Sequence, residues 1–391
     1  MTILVAHNHY RNPGGEDQVF YDEARLLELR GQRVVRYEDT NHRLNGVGPI
    51  GLLAGAIWNG DSHRRIRRLV REHGAELVHF HNTFPLLSPS CYHAAKEEGA
   101  VVVQTLHNYR LLCPNANLFR NGAPCEKCLG RAVAWPGVMH GCYRDSRPAT
   151  AAVAAMLSVH RALGTWQNAV DIYIALSEFA RSKFLAAGFP ADRVVVKPGF
   201  IHPDPGAGSG GGGYALFAGR LSPEKGLETL IEAWRRLGSP FPLKIAGDGP
   251  LGGWLGAEIR PLAGIEWLGH VSRQDVLGLM KEARFLVFPS RCYEGSGSPV
   301  SVMEAFAAGC PVIAGDAGSL KDLVDDGRSG LRFRPGDADD LAAKVEWAFS
   351  RPWELHRMRQ QARAEFEAKY TAERNYPLLM EIYARARAAA G

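Results

Sequence analysis

Short apolar runs alternate with stretches whose apolar residues recur every three or four positions, and this alternation fills most of the chain. The runs predict strands at Ile3–Ala6, Val34–Tyr37, Leu77–Phe80, Val101–Leu106, Ile172–Leu176 and Val194–Lys197. A second series follows at Tyr214–Ala218, Leu243–Ala246, Ile265–Trp267, Phe285–Phe288, Val312–Ala314 and Leu331–Phe333. Between them lie helical patterns such as Gln18–Leu29, where Val19, Phe20, Leu26 and Leu27 are spaced to face a sheet. Strands alternating with helices predict doubly wound parallel sheets, an α/β class. The two series are separated by DPGAGSGGGG, residues 204–213, a composition that reads as a linker. The expected layout is therefore a Rossmann-like domain over 1–203, a linker over 204–213 and a second Rossmann-like domain over 214–371. A last helix over 372–391 is expected to cross back to the first domain. A cleft between two such domains is an expected ligand site.

The stretch Phe285–Gly315 shows one unit in detail: an apolar strand, a Ser/Gly loop carrying Glu294, a helix, and the strand Val312–Ala314. Ser298 reads as the helix N-cap, with Pro299 in the first helical position and Gly309 as the stop. Free amides at such a helix start, near Val300 and Ser301, suit a phosphate. Glu304, one turn further in, is placed to accept from sugar hydroxyls.

The chain has 391 residues, enough for two domains, and a net charge of +5. That charge is uneven: residues 1–200 hold 23 Lys+Arg against 17 Asp+Glu, and residues 201–391 hold 23 against 24. A basic first half suits an anionic substrate or membrane face, or is simply solvated. No h-region and no run of about 20 apolar residues is present, so a cytoplasmic protein is expected, with room for contact at the membrane's cytoplasmic face. The Ala-rich helix Ala149–Leu163 could lie on a membrane, but His160 and Arg161 favour packing. No nucleic-acid partner is expected.

Candidate chemistry sits at strand ends. Gly14 and Gly15 follow the first strand and precede a helix, where backbone can approach a phosphate. His79 and His81 end one strand, and His107 ends the next; His107 is expected to face the cleft, the other two to be structural or acceptor-side. In the second half Gly219 and Arg220 end a strand, and Lys225 stands five residues on, a fork and a point charge fit to neutralise a departing diphosphate. Gly247, Asp248 and Gly249 end the next strand in small residues, where a flat base could stack against backbone. Asp337 and Asp339 resemble a metal-binding DxD, but the helical pattern after them makes them caps.

Seven cysteines in a chain without a leader suggest thiols or metal ligands. Cys113, Cys125, Cys128 and Cys142 have the spacing of a tetrahedral zinc site, with one CxxC and two flanking thiols. A structural Zn²⁺ would pin the insertion 111–145; the other reading is unrelated loop thiols.

Taken together, Gly219-Arg220-x4-Lys225-Gly226, Gly247-Asp248-Gly249-Pro250, Glu294 and Glu304 to Ile313, with Ala175–Phe179 in the first half, resemble glycosyltransferase family 4. The resemblance implies a GT-B fold, two Rossmann-like domains facing across a cleft, with donor held by the second and acceptor by the first. It implies a retaining sugar transfer from a nucleotide-diphosphate sugar to a carbohydrate or lipid-linked acceptor, with no divalent metal or other cofactor in catalysis. By the same resemblance Arg220 and Lys225 stabilise the leaving diphosphate, Glu304 contacts the ribose, Glu294 and His107 the donor sugar, and Gly14 and Gly15 border the phosphates. Nine residues separate Glu294 from Glu304 where the family has seven, so the family position falls on Ser296. A nucleotide-sugar epimerase and a non-catalytic nucleotide-sugar binder are the alternatives.

Overall fold

The computed structural model describes residues 1–11, 14–44, 46, 48–238, 241–294 and 299–390. The chain forms two compact units: Met1–Leu118, Cys125–Gly199 and the residues from Asn375 onward make the first, and Phe119–Pro124 with Phe200–Arg374 the second.

Unit 1 is built on β1 (Thr2–His9), β2 (Arg33–Thr40), β3 (Leu77–Phe80) and β4 (Val101–Leu106). A small antiparallel hairpin, β5 (Phe119–Arg120) and β6 (Ala123–Pro124), interrupts the sequence before β7 (Ile172–Ala175) and β8 (Val194–Val196). The six long strands form one parallel sheet in the order β2-β1-β3-β4-β7-β8. Every residue of β3, β4 and β7 is buried, which is why these strands read as unbroken apolar runs. Alternate residues Ile3, Val5, Val101, Val103, Ile172 and Ile174 share one face, packed by Phe20 and Leu27 of one helix and Leu379, Ile382 and Tyr383 of the last. The helix after β1 spans Gly15–Leu29, three residues earlier than its apolar pattern predicts. Its first turn is polar, and Gly14 caps it with its N–H donating to Asp17 Oδ2 at 2.6 Å.

Unit 2 repeats the plan with β9 (Ala215–Ala218), β10 (Leu243–Ala246), β11 (Ile265–Gly269), β12 (Phe285–Phe288), β13 (Val312–Gly315) and β14 (Gly330–Phe333), ordered β11-β10-β9-β12-β13-β14. Its strands feed two apolar clusters by alternation: Leu216, Ala218, Leu286, Phe288 and Val312 in one, Ala215, Phe217, Phe285, Val287 and Ile313 in the other. Helices on both faces explain that pattern. Twelve sheet strands match the twelve predicted runs in place, and all pairings are parallel.

Three details differ from the sequence reading. Residues 204–213 are not a free tether. The amide of Gly208 donates to Ala308 O, that of Gly210 to Lys281 O and that of Gly212 to Glu282 O, each at 2.9 Å. A Cβ at Gly208 would collide with Lys281, and one at Gly210 with the Arg359 guanidinium. Glycine here permits close packing rather than flexibility, and the boundary between units falls after Gly199. The final helix spans Ala372–Ala390 and crosses the second boundary, after Arg374. The helix after β12 spans Val300–Ala307 with Pro299 at its N-cap, one place later than expected, and Gly309 leaves it at φ +66°. Ser298 lies outside the described residues.

Candidate active site

In unit 2 the chain steps outward from β9 to β10 and β11, then returns to the other side of β9 for β12. Such a reversal opens a crevice at the carboxyl ends of the strands. The loops there are laced together. Leu221 N–H donates to Asp248 O at 3.0 Å, Arg291 N–H to Glu224 O at 2.9 Å, and the Ser290 hydroxyl to the same Glu224 O at 3.2 Å. Glycine is obligatory at two joints: a Cβ at Gly247 would strike Gly219 O, and one at Gly226, at φ +72°, would strike Pro289 O. A Cβ at Gly249 would stand 2.6 Å from Leu221 O, whereas one at Gly219 meets, among the described residues, only Phe217 Cζ at 3.8 Å. Asp248 is exposed and accepts from Gly249 N–H at 2.7 Å.

The charged groups of this crevice divide into paired and unpaired. Arg220 is exposed, and its guanidinium has no ion-pair or hydrogen-bond partner among the described residues. Lys225 Nζ lies 2.6 Å from Glu294 Oε2 and 5.4 Å from the centre of the Phe288 ring. Burial is the largest influence and opposes the Lys225 charge, but Glu294 together with Cys292 and Glu224 more than offsets it and holds the ammonium above its usual pKa. Glu294 is buried in the left-handed region at φ +50°, and its other oxygen takes the Ser290 hydroxyl. Glu304 is buried, with Oε1 2.6 Å from Arg273 Nε. Val300 and Ser301 open their helix with amides that have no acceptor among the described residues.

In unit 1 the order reverses between β1 and β3. Gly14 and Gly15 are exposed at that reversal. Asp17 Oδ1 lies 2.8 Å from both His7 Nε2 and His9 Nδ1, and His9 Nε2 lies 2.9 Å from Glu38. Deeper in, Glu23 is 1 % exposed and meets Lys197 Nζ at 2.8 Å and His79 Nδ1 at 3.0 Å. Burial alone would raise its pKa, but Lys197 and His79 hold it well below the carboxylate range. His81 Nδ1 is 3.0 Å from His107 Nε2. Burial depresses both rings, His81 to about 3 and His107 well below the imidazole range, so both are neutral. His107 borders a pocket lined also by His81, Asn82, Asn108, Arg110 and Met156.

Two family models match this chain: one described as Glycosyltransferase Family 4 over residues 13–205, the other as Glycosyl transferases group 1 over residues 212–351. The chain belongs to glycosyltransferase family 4. Glycogen synthase of Mycobacterium tuberculosis is 31% identical over 178 residues, 44% of this chain and 42% of that one. O-antigen chain mannosyltransferase B of Escherichia coli is 30% identical over 212 residues, 48% of this chain and 53% of that one. The chain thus spans about half the length of the curated relatives it matches. Anabaena HepE in complex with UDP-glucose superposes with a TM-score of 0.69 at 18% identity, covering 98% and 99% of the two chains. Sucrose-phosphate synthase from Thermosynechococcus elongatus gives 0.71 at 15% identity, covering 99% of both. These likenesses show the GT-B type of fold, two Rossmann-like units.

Within this family 4 chain, unit 2 brings together Gly219, Arg220, Lys225, Gly247, Asp248, Gly249 and Glu294, with Val300, Ser301 and Glu304 on the next helix. Gly14, Gly15 and His107 stand in unit 1. Ser296 lies outside the described residues. Sequence reasoning assigned no role to Arg273, which pairs with Glu304 from 31 positions away, beyond any local pattern. It also passed over Glu16: Asn108 Nδ2 donates to it at 3.2 Å, its Oε1 is buried without a partner among the described residues, and burial raises its carboxyl to about 8. Arg110, to which the sequence assigned no role, has its guanidinium over the rings of Phe84 and Tyr143, at 4.5 and 4.9 Å from their centres.

All seven cysteines are free thiols. Cys113 and Cys128 are buried, Cys125 and Cys142 partly so. Burial, then the neighbouring thiols Cys113, Cys142 and Cys125, raise Cys128 to about 11. Among the described residues, ligand atoms within 4.8 Å of one another occur in His7/His9/Asp17 and Glu23/His79/His81. The four sulfurs do not form such a group. The first of those sets is closed by its own hydrogen bonds and the second by the Lys197 ammonium. Among the described residues no helix is long and apolar enough to cross a membrane.

Proposed function

We propose that the protein is a retaining glycosyltransferase that moves a sugar from a nucleotide-diphosphate sugar to an acceptor hydroxyl in polysaccharide or glycoconjugate synthesis. The observation that carries this reading is the exposed Arg220, whose guanidinium has no partner among the described residues, on the loop that also carries Lys225, at the reversal between β9 and β12. A diphosphate there meets a guanidinium fork, an ammonium and the amides of Val300 and Ser301, which have no acceptor among the described residues. Glu304 receives ribose hydroxyls while Arg273 holds its carboxylate in place. As the glycosidic bond to the diphosphate breaks, Arg220 and Lys225 take up the growing negative charge. The acceptor hydroxyl attacks from the same face and leaves its proton on a phosphate oxygen. No metal takes part in these steps. The UDP-glucose complex of the HepE neighbour and the mannosyltransferase relative support a nucleotide-sugar donor and a glycan acceptor. Arg220→Ala and Lys225→Ala should each reduce turnover about 10²-fold or more; unchanged turnover in either overturns the mechanism.

Two subsidiary proposals concern unit 1. A structural Zn²⁺ would be held by Cys113, Cys125, Cys128 and Cys142, drawn together from their present spacing. The support is that one short excursion carries all four, and that Gly137 touches two of their segments: its Cβ would lie 3.3 Å from Cys128 Sγ, and its carbonyl accepts from Cys142 N–H at 3.0 Å. Purified protein should carry about one zinc, and less than ~0.2 per chain retires the site. Peripheral membrane contact is supported by Trp135, Met139 and Leu163, which are 54 %, 56 % and 57 % exposed in the basic first half. Cosedimentation with phosphatidylserine vesicles but not with phosphatidylcholine vesicles is the expected result; equal failure with both rejects it.

A further inference from the structure

The buried side chains of unit 1 determine where the proton of His107 sits. Glu23 is an ionised carboxylate and can only accept hydrogen bonds. Its Oε2 is taken by Lys197 Nζ at 2.8 Å, and Lys197 Nζ also reaches Asn375 Oδ1 at 3.0 Å. Its Oε1 stands 3.0 Å from His79 Nδ1 and 3.3 Å from His81 Nε2. The contact to His81 is bent, and neither atom meets the angle of a straight hydrogen bond, but His81 Nε2 is buried and has no other acceptor among the described residues. A buried imidazole N–H turned toward a carboxylate is the low-energy arrangement; a bare nitrogen there would face like charge. His81 therefore carries its proton on Nε2. Being neutral, it is bare at Nδ1. That bare nitrogen lies 3.0 Å from His107 Nε2, and the two rings are inclined by only 22° with centroids 5.1 Å apart, as in imidazoles joined edge to edge by an N–H···N bond. His107 must donate through Nε2. Neutral in turn, it is bare at Nδ1, which has no hydrogen-bond partner among the described residues, on a residue that is only partly buried.

We propose that Glu23 and His81 are positioning residues that lock His107 in its Nε2–H tautomer, so that the pocket bordered by His107, Asn108 and Arg110 presents a bare Nδ1 and selects a sugar hydroxyl able to donate a hydrogen bond to it. This deepens, and rests on, the glycosyltransferase reading. The relay converts a fixed charge in the core into the polarity of one atom at the surface. It rejects a fluoro or O-methyl substituent at that position, which has no proton to give.

The direct test is the nitrogen-15 spectrum of His107 in the intact protein at pH 7, assigned by loss of its signals in His107→Gln. The expected signature is a pyrrole-like Nε2 and a pyridine-like Nδ1. A proton on Nδ1, or an imidazolium, overturns the proposal, whether or not the protein transfers sugar. Glu23→Gln provides the second arm. Lys197 can only donate, so the amide oxygen must face it and the amide NH₂ must replace Oε1. That NH₂ donates to His81 Nε2, moves the His81 proton to Nδ1 and drives the His107 proton to Nδ1. The variant should show the inverted spectrum and about a tenfold loss in transfer kcat/KM, from a buried donor-acceptor mismatch. UDP binding, read by thermal shift, should not change. Should Glu23→Gln fail to fold, the wild-type spectrum still decides. Wild-type protein that shows the expected tautomer but neither binds nor turns over any nucleotide sugar would instead sink the transferase reading alone.

Discussion

Removing Lys225 should cost more than removing the charge of its partner, because the two ends of the pair are unequally wet. The Lys225 side chain is 25% exposed and that of Glu294 only 6%. At 2.6 Å the gross Coulomb attraction is about 6 kcal/mol at an effective dielectric of 20, most of it spent on desolvation. In Lys225→Ala the Glu294 carboxylate stays buried with, among the described residues, the Ser290 hydroxyl and the weak Cys292 thiol as donors, so the loss should approach about 3 kcal/mol, the low end for a broken buried pair. In Glu294→Gln the ammonium turns to water and the loss should be about 1 kcal/mol. The double variant leaves no stranded charge and should also lose about 1 kcal/mol, so the pair couples by about 3 kcal/mol. Hydrogen exchange of amides in β12, read by mass spectrometry, reports this local stability without requiring the two units to unfold together. Equal losses in the two single variants that simply add in the double would refute the reasoning. Glu294→Gln should also tighten binding of a free nucleoside diphosphate, since the phosphates no longer compete with a carboxylate for Lys225.

Three further outcomes are expected. Gly247→Ala should weaken nucleotide binding about tenfold or more by displacing the Gly219 carbonyl, while Gly219→Ala, whose Cβ has, among the described residues, only Phe217 Cζ nearby at 3.8 Å, should bind normally; thermal shift with UDP compares them. Arg273→Ala should lower nucleotide affinity about tenfold by leaving the buried Glu304 without its guanidinium, and Arg273→Lys should recover part of it, measured by calorimetric titration. Glu16 holds a proton in the folded state up to about pH 8 that the unfolded chain releases near 4.3, so its contribution is complete below pH 4.3 and is lost as pH rises through 8. Glu16→Gln should flatten the decline of stability across that window in urea melts.

How much could be read from sequence depends on where the information lies. Leu77–Phe80 and Val101–Leu106 were legible to the residue, because strands buried on both faces leave an uninterrupted apolar run. β1 runs on to His9, beyond Ala6, since its last residues serve the site and are polar. The glycine-rich 204–213 misled because composition cannot distinguish a flexible chain from one pressed against Lys281 and Arg359. Arg220, Lys225, Glu294 and Glu304 were visible as motif residues, but their pairings were not. Nothing local joins Lys225 to Glu294 or Arg273 to Glu304; the sheet order does. Glu23 looks like any polar residue on an amphipathic helix, yet it lies at the centre of a buried network drawn from β3, the segments after β4 and β8, and the last helix.

The central claim is that a nucleotide diphosphate is gripped at the carboxyl ends of β9 and β12. Hydrogen-exchange mass spectrometry with UDP, GDP and ADP, each alone and as a sugar conjugate, tests it most directly. At least one should slow exchange at the amides of 219–222, 224–226, 247–249 and 300–304, and Arg220→Ala should abolish that protection. Protection confined to other segments, or retained in full by Arg220→Ala, would contradict the claim.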